Sequence, residues 1–246
     1  MYVRSVRTKR HHCAAVASPV AYWLLKVLLT PLFVLLWRVQ VEGREHVPAD
    51  GAAVLAANHQ SFCDSLFIPL VVPRKVTFLA KAEYFDSPKT AWFFRSVGQI
   101  PIRRGRGKEA ERALATAADA LREGRLVALY PEGTRSVDGR VHRGRTGVAR
   151  LSRECRVPVI PVGIHGTLAV QPVGSRFMRP GKTVVVRFGP PMRMSPAAEP
   201  SDPLAGHDHR EGREFTDALM REIARLSGEP YVDEYVPKRS PTSSVA

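Results

Sequence analysis

Cysteine is scarce. The three cysteines in 246 residues, Cys13, Cys63 and Cys155, are odd in number, far apart and form no C-x-x-C pair. This excludes a disulfide framework and a thiolate zinc site, and it fits a reducing compartment. Acidic residues are also short, 23 Asp+Glu against 37 Lys+Arg, for a net charge of +14. Such an excess asks for an anionic partner: nucleic acid, an anionic membrane or a phosphorylated substrate. The arginines are scattered and no basic strip is interleaved with aromatics, so nucleic acid is not the expected partner. No G-x-S-x-G occurs, which removes one common serine nucleophile. Gly105-Arg106-Gly107-Lys108 fails as a phosphate loop, because no glycine lies five before Gly107 and Glu109 stands where Ser or Thr is required.

A clean membrane-spanning run is missing too. Arg4, Arg7, Lys9 and Arg10 precede an apolar stretch, Ala14 to Trp37, that is interrupted by Ser18, Pro19, Lys26, Thr30 and Pro31. No small-residue cleavage site follows it at Arg38–Val41, which argues against a signal peptide. A spanning helix would bury Lys26 near mid-bilayer at about 2.5–3.5 kcal/mol, break at Pro31, and send the body of the chain outward. A pair of short helices bent at Pro31 and lying in one leaflet avoids these problems. Lys26 can then snorkel, with Tyr22, Trp23 and Trp37 at headgroup level. The expectation is a monotopic or peripheral protein on the cytoplasmic face of the membrane, with a single span and a buried core helix as the alternatives.

What is present is alternation. Short β-type runs fall at 38–41, 52–57, 75–80, 97–102, 125–130, 157–164 and 183–188, with helical patterns between several of them. Glu109 to Arg122 carries Ala110, Leu114, Ala117, Ala118 and Leu121 on one stripe, with Gly124 as C-cap. A second helical pattern at about 211–227 places Phe215, Leu219, Ile223 and Leu226 together. The pattern predicts a single α/β domain with a mostly parallel or mixed sheet flanked by helices, preceded by an N-terminal membrane-associated helical hairpin. The divisions are 1–37 for the basic and apolar membrane-associating segment, 38–190 for the α/β domain, and 191–246 for a connector, an amphipathic helix and a disordered tail.

The polar stretch Asn58-His59-Gln60-Ser61-Phe62-Cys63-Asp64 lies between two apolar runs. Positions five apart lie about 140° around one helix, so His59 and Asp64 cannot share a helical face. Ser61 as N-cap, with Asp64 three residues later, resolves this: Asp64 falls in the first turn and leans back toward His59 in the loop. A carboxylate on one imidazole nitrogen fixes the tautomer and lets the other act as general base. The competing reading gives Asp64 only a capping role. A second group, Leu129 to Ser136, turns after a strand: Gly133 allows close backbone approach and Arg135 offers a planar fork for phosphate. Arg103 and Arg104 follow a third strand. His207-Asp208-His209 lacks further metal ligands, and no metal is expected.

In this order the blocks resemble the glycerolipid acyltransferase superfamily, and within it the 1-acyl-sn-glycerol-3-phosphate (lysophosphatidic acid) acyltransferases. The N-H-x-x-x-x-D motif matches Asn58 to Asp64, [FY]-P-E-G-T-R-S matches Tyr130 to Ser136, and a V-P-V-I-P-V strand matches Val157 to Val162. Phe78 to Phe85 is similar to the A-K-x-E-L-F segment with Tyr84 for Leu, and the motif that ends in Arg places it at Arg104, with Arg103 where Asp is usual. The resemblance covers about 38–190. It implies acyl transfer from acyl-CoA or acyl-carrier protein to the hydroxyl of lysophosphatidic acid or, as the alternative, of another lysolipid or glycolipid. It implies His59 as base and Asp64 as its orienter. Arg135 and Arg104, with Lys81, would bind the acceptor phosphate, Arg103 being the alternative to Arg104; Glu132 and Gly133 would shape the glycerol site, and Thr134 would also bind substrate. No cofactor is implied beyond the acyl donor as co-substrate. A membrane surface is the implied setting, and a non-catalytic peripheral protein would not need His59 and Asp64 together.

Overall fold

The computed structural model describes residues 19–96, 99–102, 107–175, 177–194 and 205–237. Seven strands form one mixed sheet: β1 (Arg38–Glu42), β2 (Ala53–Ala57), β3 (Val76–Lys81), β4 (Ile100–Ile102), β5 (Leu126–Leu129), β7 (Val159–His165) and β8 (Thr183–Phe188). Their order is β1-β8-β7-β2-β5-β3-β4. All neighbours run parallel except β7 and β8. β2, at the centre, is buried along its whole length, as a parallel strand covered on both faces must be.

The two-residue period divides the core. Ala53, Leu55 and Ala57 face α2 (Asp64–Val71) and α1 (Pro19–Leu36), packing with Phe33, Trp37, Phe67 and Ile68. Val54 and Ala56 face α4 (Lys108–Arg122), α5 (Gly147–Cys155) and α7 (Ala205–Ser227), with Leu121, Leu151, Leu219 and Ile223. α4 ends, as expected, just before Gly124, whose φ of +77° suits the residue after a helix. α3 (Pro88–Ser96) and a short α6 (Thr167–Val170) complete the helices.

Two departures concern the ends. α7 begins at Ala205 within the expected connector, and Leu219, Met220 and Ile223 are fully buried on the sheet. It lies so close to β7 that a Cβ at Gly163 would fall 2.3 Å from the backbone nitrogen of Ser227. The tail from Gly228, expected to be disordered, continues into β9 (Tyr231–Val232), which pairs with β6 (Val141–His142). At the other end, the expected helix pair divided at Pro31 is one uninterrupted helix over 19–36. Pro31 costs one hydrogen bond, and packing of Tyr22, Phe33 and Trp37 holds the helix regardless. Residues 1–18 lie outside the described residues. Lys26 turns inward, donating to the Val72 carbonyl, and burial beside Arg44 lowers its pKa to about 8. The outer face keeps Val20, Leu24, Val27, Leu28 and Leu35 exposed. Among the described residues no helix is long and apolar enough to cross a membrane.

Candidate active site

The site forms where β2 ends. Pairing of β2 with β7 stops at Ala57, and the Asn58 side chain prolongs the ladder by one step. Its Nδ2 donates to the Ile164 carbonyl and its Oδ1 accepts from the Ile164 N–H, both at 2.8 Å. The next residue, His59, therefore leaves the sheet at a fixed point. Asp64 Oδ2 then gathers three donors: His59 Nδ1 at 2.9 Å, and the backbone N–H groups of Gln60 and Ser61 at 2.8 Å each. Asp64 is fully buried, and its Oδ1 has no hydrogen-bond partner among the described residues.

The expected capping geometry is present in part. Regular helix starts at Asp64. The Asp64 carboxylate reaches back to the Ser61 N–H, as in a capping box, while the Ser61 hydroxyl donates to the Gln171 carbonyl at 2.8 Å. Capping and imidazole orientation thus use the same oxygen.

The second wall is the turn after β5. Tyr130 stacks face to face on His59, with ring centroids 3.8 Å apart and planes 8° from parallel. Its hydroxyl lies 2.8 Å from Ser65 Oγ on α2. Sequence reading passed over Tyr130 and Ser65, although the aromatic position that opens the Tyr130–Ser136 block was a signal.

Glu132, expected at the glycerol site, is turned inward and only 2% exposed. Oε2 accepts from the His59 N–H at 2.9 Å and Oε1 from the His142 N–H at 2.8 Å. Burial raises its pKa to about 8, against the lowering effect of those two N–H bonds, and the charges of Asp64 and Asp138 add to the rise. Ser136 N–H donates to the His59 carbonyl at 2.7 Å, so the turn grips His59 at both backbone ends. The circuit closes through a second His–Asp pair. His142 Nε2 lies 3.1 Å from Asp138 Oδ1, which also accepts from Ser136 Oγ at 2.8 Å. Burial opposes charge on Asp138, yet bonds from Ser136, His142 and the Arg140 N–H outweigh it and hold the pKa at about 2.

The other expected residues are distributed as follows. Gly133, at φ +77°, and Thr134 are exposed on the same turn, with Arg135 half-buried beside them. A Cβ on Gly133 would come 3.0 Å from Arg145 Nε, so Arg145 is a second cation at this turn. Lys81 ends β3, paired with Ile102. Arg103 and Arg104 lie outside the described residues. Two apolar hollows flank the Ser65–Tyr130 bond: a small groove between α1 and α2 with Leu29, Phe33 and Ser65, and a cavity of about 370 Å³ with Leu114, Tyr130, Arg145 and Leu151. No cluster of three or more His, Cys, Asp or Glu among the described residues is placed to hold a metal ion.

Known proteins share this frame. A chloroplast 1-acyl-sn-glycerol-3-phosphate acyltransferase of Arabidopsis thaliana is 31% identical over 140 residues, 56% of this chain and 39% of the relative. The 1-acyl-sn-glycerol-3-phosphate acyltransferase of Bacillus subtilis is 26% identical over 173 residues, 70% of this chain and 80% of the relative. The match spans about two fifths of the length of the plant relatives. The crystal structure of the 1-acyl-sn-glycerophosphate acyltransferase PlsC from Thermotoga maritima superposes with a TM-score of 0.66 at 28% identity, covering 85% of this chain and 80% of that one. The family model described as Acyltransferase matches residues 38–165, more than half of the sequence, and the chain belongs to that family.

Proposed function

We propose that the protein transfers a fatty acyl group from a thioester, acyl-CoA or acyl-carrier protein, to the free hydroxyl of lysophosphatidic acid, giving phosphatidic acid. The observation that carries this is the buried His59 Nδ1–Asp64 Oδ2 contact of 2.9 Å, in a chain whose relatives bear that activity in their names. Asp64 keeps the proton on Nδ1, which assigns proton pick-up to Nε2. As the acceptor oxygen attacks the thioester carbonyl, Nε2 takes the hydroxyl proton. The C–O bond forms, the C–S bond breaks, and the imidazolium returns its proton to the departing thiolate. A thioester is already activated, so no covalent enzyme intermediate is needed. Arg135 and Arg145 on the exposed turn suit the acceptor phosphate, and the apolar hollows suit the chains of the two substrates.

The exposed apolar face of α1 and the net charge of +14 support work at an anionic membrane surface. The test is mass spectrometry of products from the full chain with acyl thioesters and a panel of lysolipids. Phosphatidic acid should dominate, with thiol released in equal amount. Thiol release independent of any acceptor, or preference for an acceptor without a phosphomonoester, sinks the proposal. Arg135→Ala should cut efficiency with phosphate-bearing acceptors tenfold to hundredfold, the loss of a charge-assisted bond worth about 1.5–3 kcal/mol. Acceptor-independent hydrolysis of the thioester should stay unchanged.

A further inference from the structure

Sequence and structure together mark the loop between α6 and β8. From Cys155 to Ala198 the chain contains no Asp or Glu, while Arg179 and Lys182 are exposed within the loop. Its two adjacent apolar residues part ways. Met178 packs against the core, whereas Phe177 is 81% exposed, nearly as much as Leu35 on the outer face of α1 at 83%. The backbone on either side of the Phe177 ring is fixed: Ser175 Oγ donates to the Phe177 carbonyl at 2.8 Å, and the Arg179 N–H donates to the Val170 carbonyl at 2.8 Å.

Three further bonds fix the loop against the C-terminal end of α1. Trp37 Nε1 donates to the Arg179 carbonyl at 2.8 Å, Gly181 N–H to the Leu36 carbonyl at 2.8 Å, and Arg38 N–H to the Lys182 carbonyl at 3.0 Å. At its other end the loop is tied to the catalytic turn, since Ser61 Oγ donates to the Gln171 carbonyl. One short segment thus joins the exposed apolar helix to the loop that carries His59.

We propose that residues 177–182 are a second membrane-contacting element, with Phe177 entering the acyl boundary of an anionic bilayer and Arg179 and Lys182 at its phosphates. An aromatic ring between cations is the composition that suits the headgroup boundary. The element deepens the lipid-acceptor reading and rests on it: α1 alone would leave the chain free to roll about its axis, and a second contact fixes which way the site faces.

The test is co-sedimentation of the full chain with vesicles of phosphatidylcholine alone or with an equal part of phosphatidylglycerol. Turnover of a short-chain, water-soluble acceptor is measured in parallel. Phe177→Ala should weaken partition about tenfold on both vesicle types. Arg179→Gln with Lys182→Gln should weaken it about 25-fold on anionic vesicles, about fivefold per charge, and little on neutral ones. Both variants should turn over the soluble acceptor at the wild-type rate. Wild-type partition in both variants overturns the element. So does wild-type partition combined with slowed turnover of a carrier-protein donor without vesicles, which would make the surface a dock for an acidic protein. If partition responds as expected but the wild-type chain turns over no acceptor, the acyl-transfer reading falls and the membrane element stands.

Discussion

Two His–Asp pairs lie within one circuit of hydrogen bonds, and they are built differently. His59 and His142 are 6% and 4% exposed, so burial does not distinguish them. His59 meets its carboxylate through Nδ1, and that carboxylate is fully buried and shared with the N–H groups of Gln60 and Ser61. His142 spends both ring nitrogens on the protein, Nε2 on Asp138 and Nδ1 on the Glu234 carbonyl at 3.2 Å, and the Asp138 side chain is 40% exposed. We assign the first imidazole to the proposed proton transfer and the second to the role of a strut. The order differs too, His59 preceding Asp64 by five positions and Asp138 preceding His142 by four, and so does the ring nitrogen that the carboxylate takes.

The comparison breaks most sharply at the first pair. His59→Ala and Asp64→Asn should each reduce turnover by about 10²–10⁴ in a folded protein, and the double variant should be little worse than the worse single one. Asn caps a helix start nearly as well as Asp, so Asp64→Asn retaining near-wild-type turnover would return Asp64 to a structural role.

Glu132 joins the two pairs, and Glu132→Gln should have the next largest effect. An amide offers one acceptor oxygen where two backbone N–H groups need one each, leaving a buried N–H unpaired at a cost of about 1–3 kcal/mol. We expect kcat to fall about tenfold to hundredfold, with KM for the acceptor unchanged because Glu132 acts through the His59 backbone. A raised KM at constant kcat would put Glu132 back in the acceptor site. The pH dependence follows from its pKa of about 8. The folded state holds this proton more tightly than the unfolded chain, so the contribution is complete below the ordinary carboxylate range. It is lost as pH rises through about 8. Denaturant unfolding of wild type and Glu132→Gln between pH 4 and 9 should show that slope only in the wild type.

The smallest effects belong to the strut. His142→Ala and Asp138→Asn should lower the melting temperature while changing turnover by only a few fold. The Asp138 carboxyl is held down at about 2, so its stabilisation is present above the ordinary carboxylate range and disappears as pH falls through about 2. Asp138→Asn should flatten the acid end of the stability curve. A loss of turnover comparable to that of His59→Ala would erase the distinction between the pairs.

The sequence carried the sheet strands well because most are short apolar runs, with β1 alternating instead, and it carried His59 and Asp64 because a local capping geometry brings them together. Strand order was not legible: β5 inserts between β2 and β3 by packing that no local pattern encodes. The β6–β9 pair is two residues on each side, too short for any period to register. The burial of Glu132 was not legible either. A charged residue on a Gly-containing turn suggests exposure, and only the tertiary approach of the His59 and His142 N–H groups makes burial tolerable there. Residues 205–210 were assigned to a connector, yet the helix that begins there carries its apolar stripe onto the sheet through Leu219 and Ile223.

The pairing of β1 with β8 sets a timetable for biosynthesis. Glu42 and Arg187, joined side by side in that pair, are separated by 145 residues. At about 5–20 residues per second, a ribosome needs roughly 7–30 s to make the partner strand after the first has emerged. Throughout that interval α1, apolar on its outer face, hangs from a chain whose sheet cannot close, far longer than the microseconds a helix needs to form. A nascent protein of this topology is exposed to aggregation from its first helix onward. An early landing of that helix on lipid would be as useful to folding as to the proposed acyl transfer.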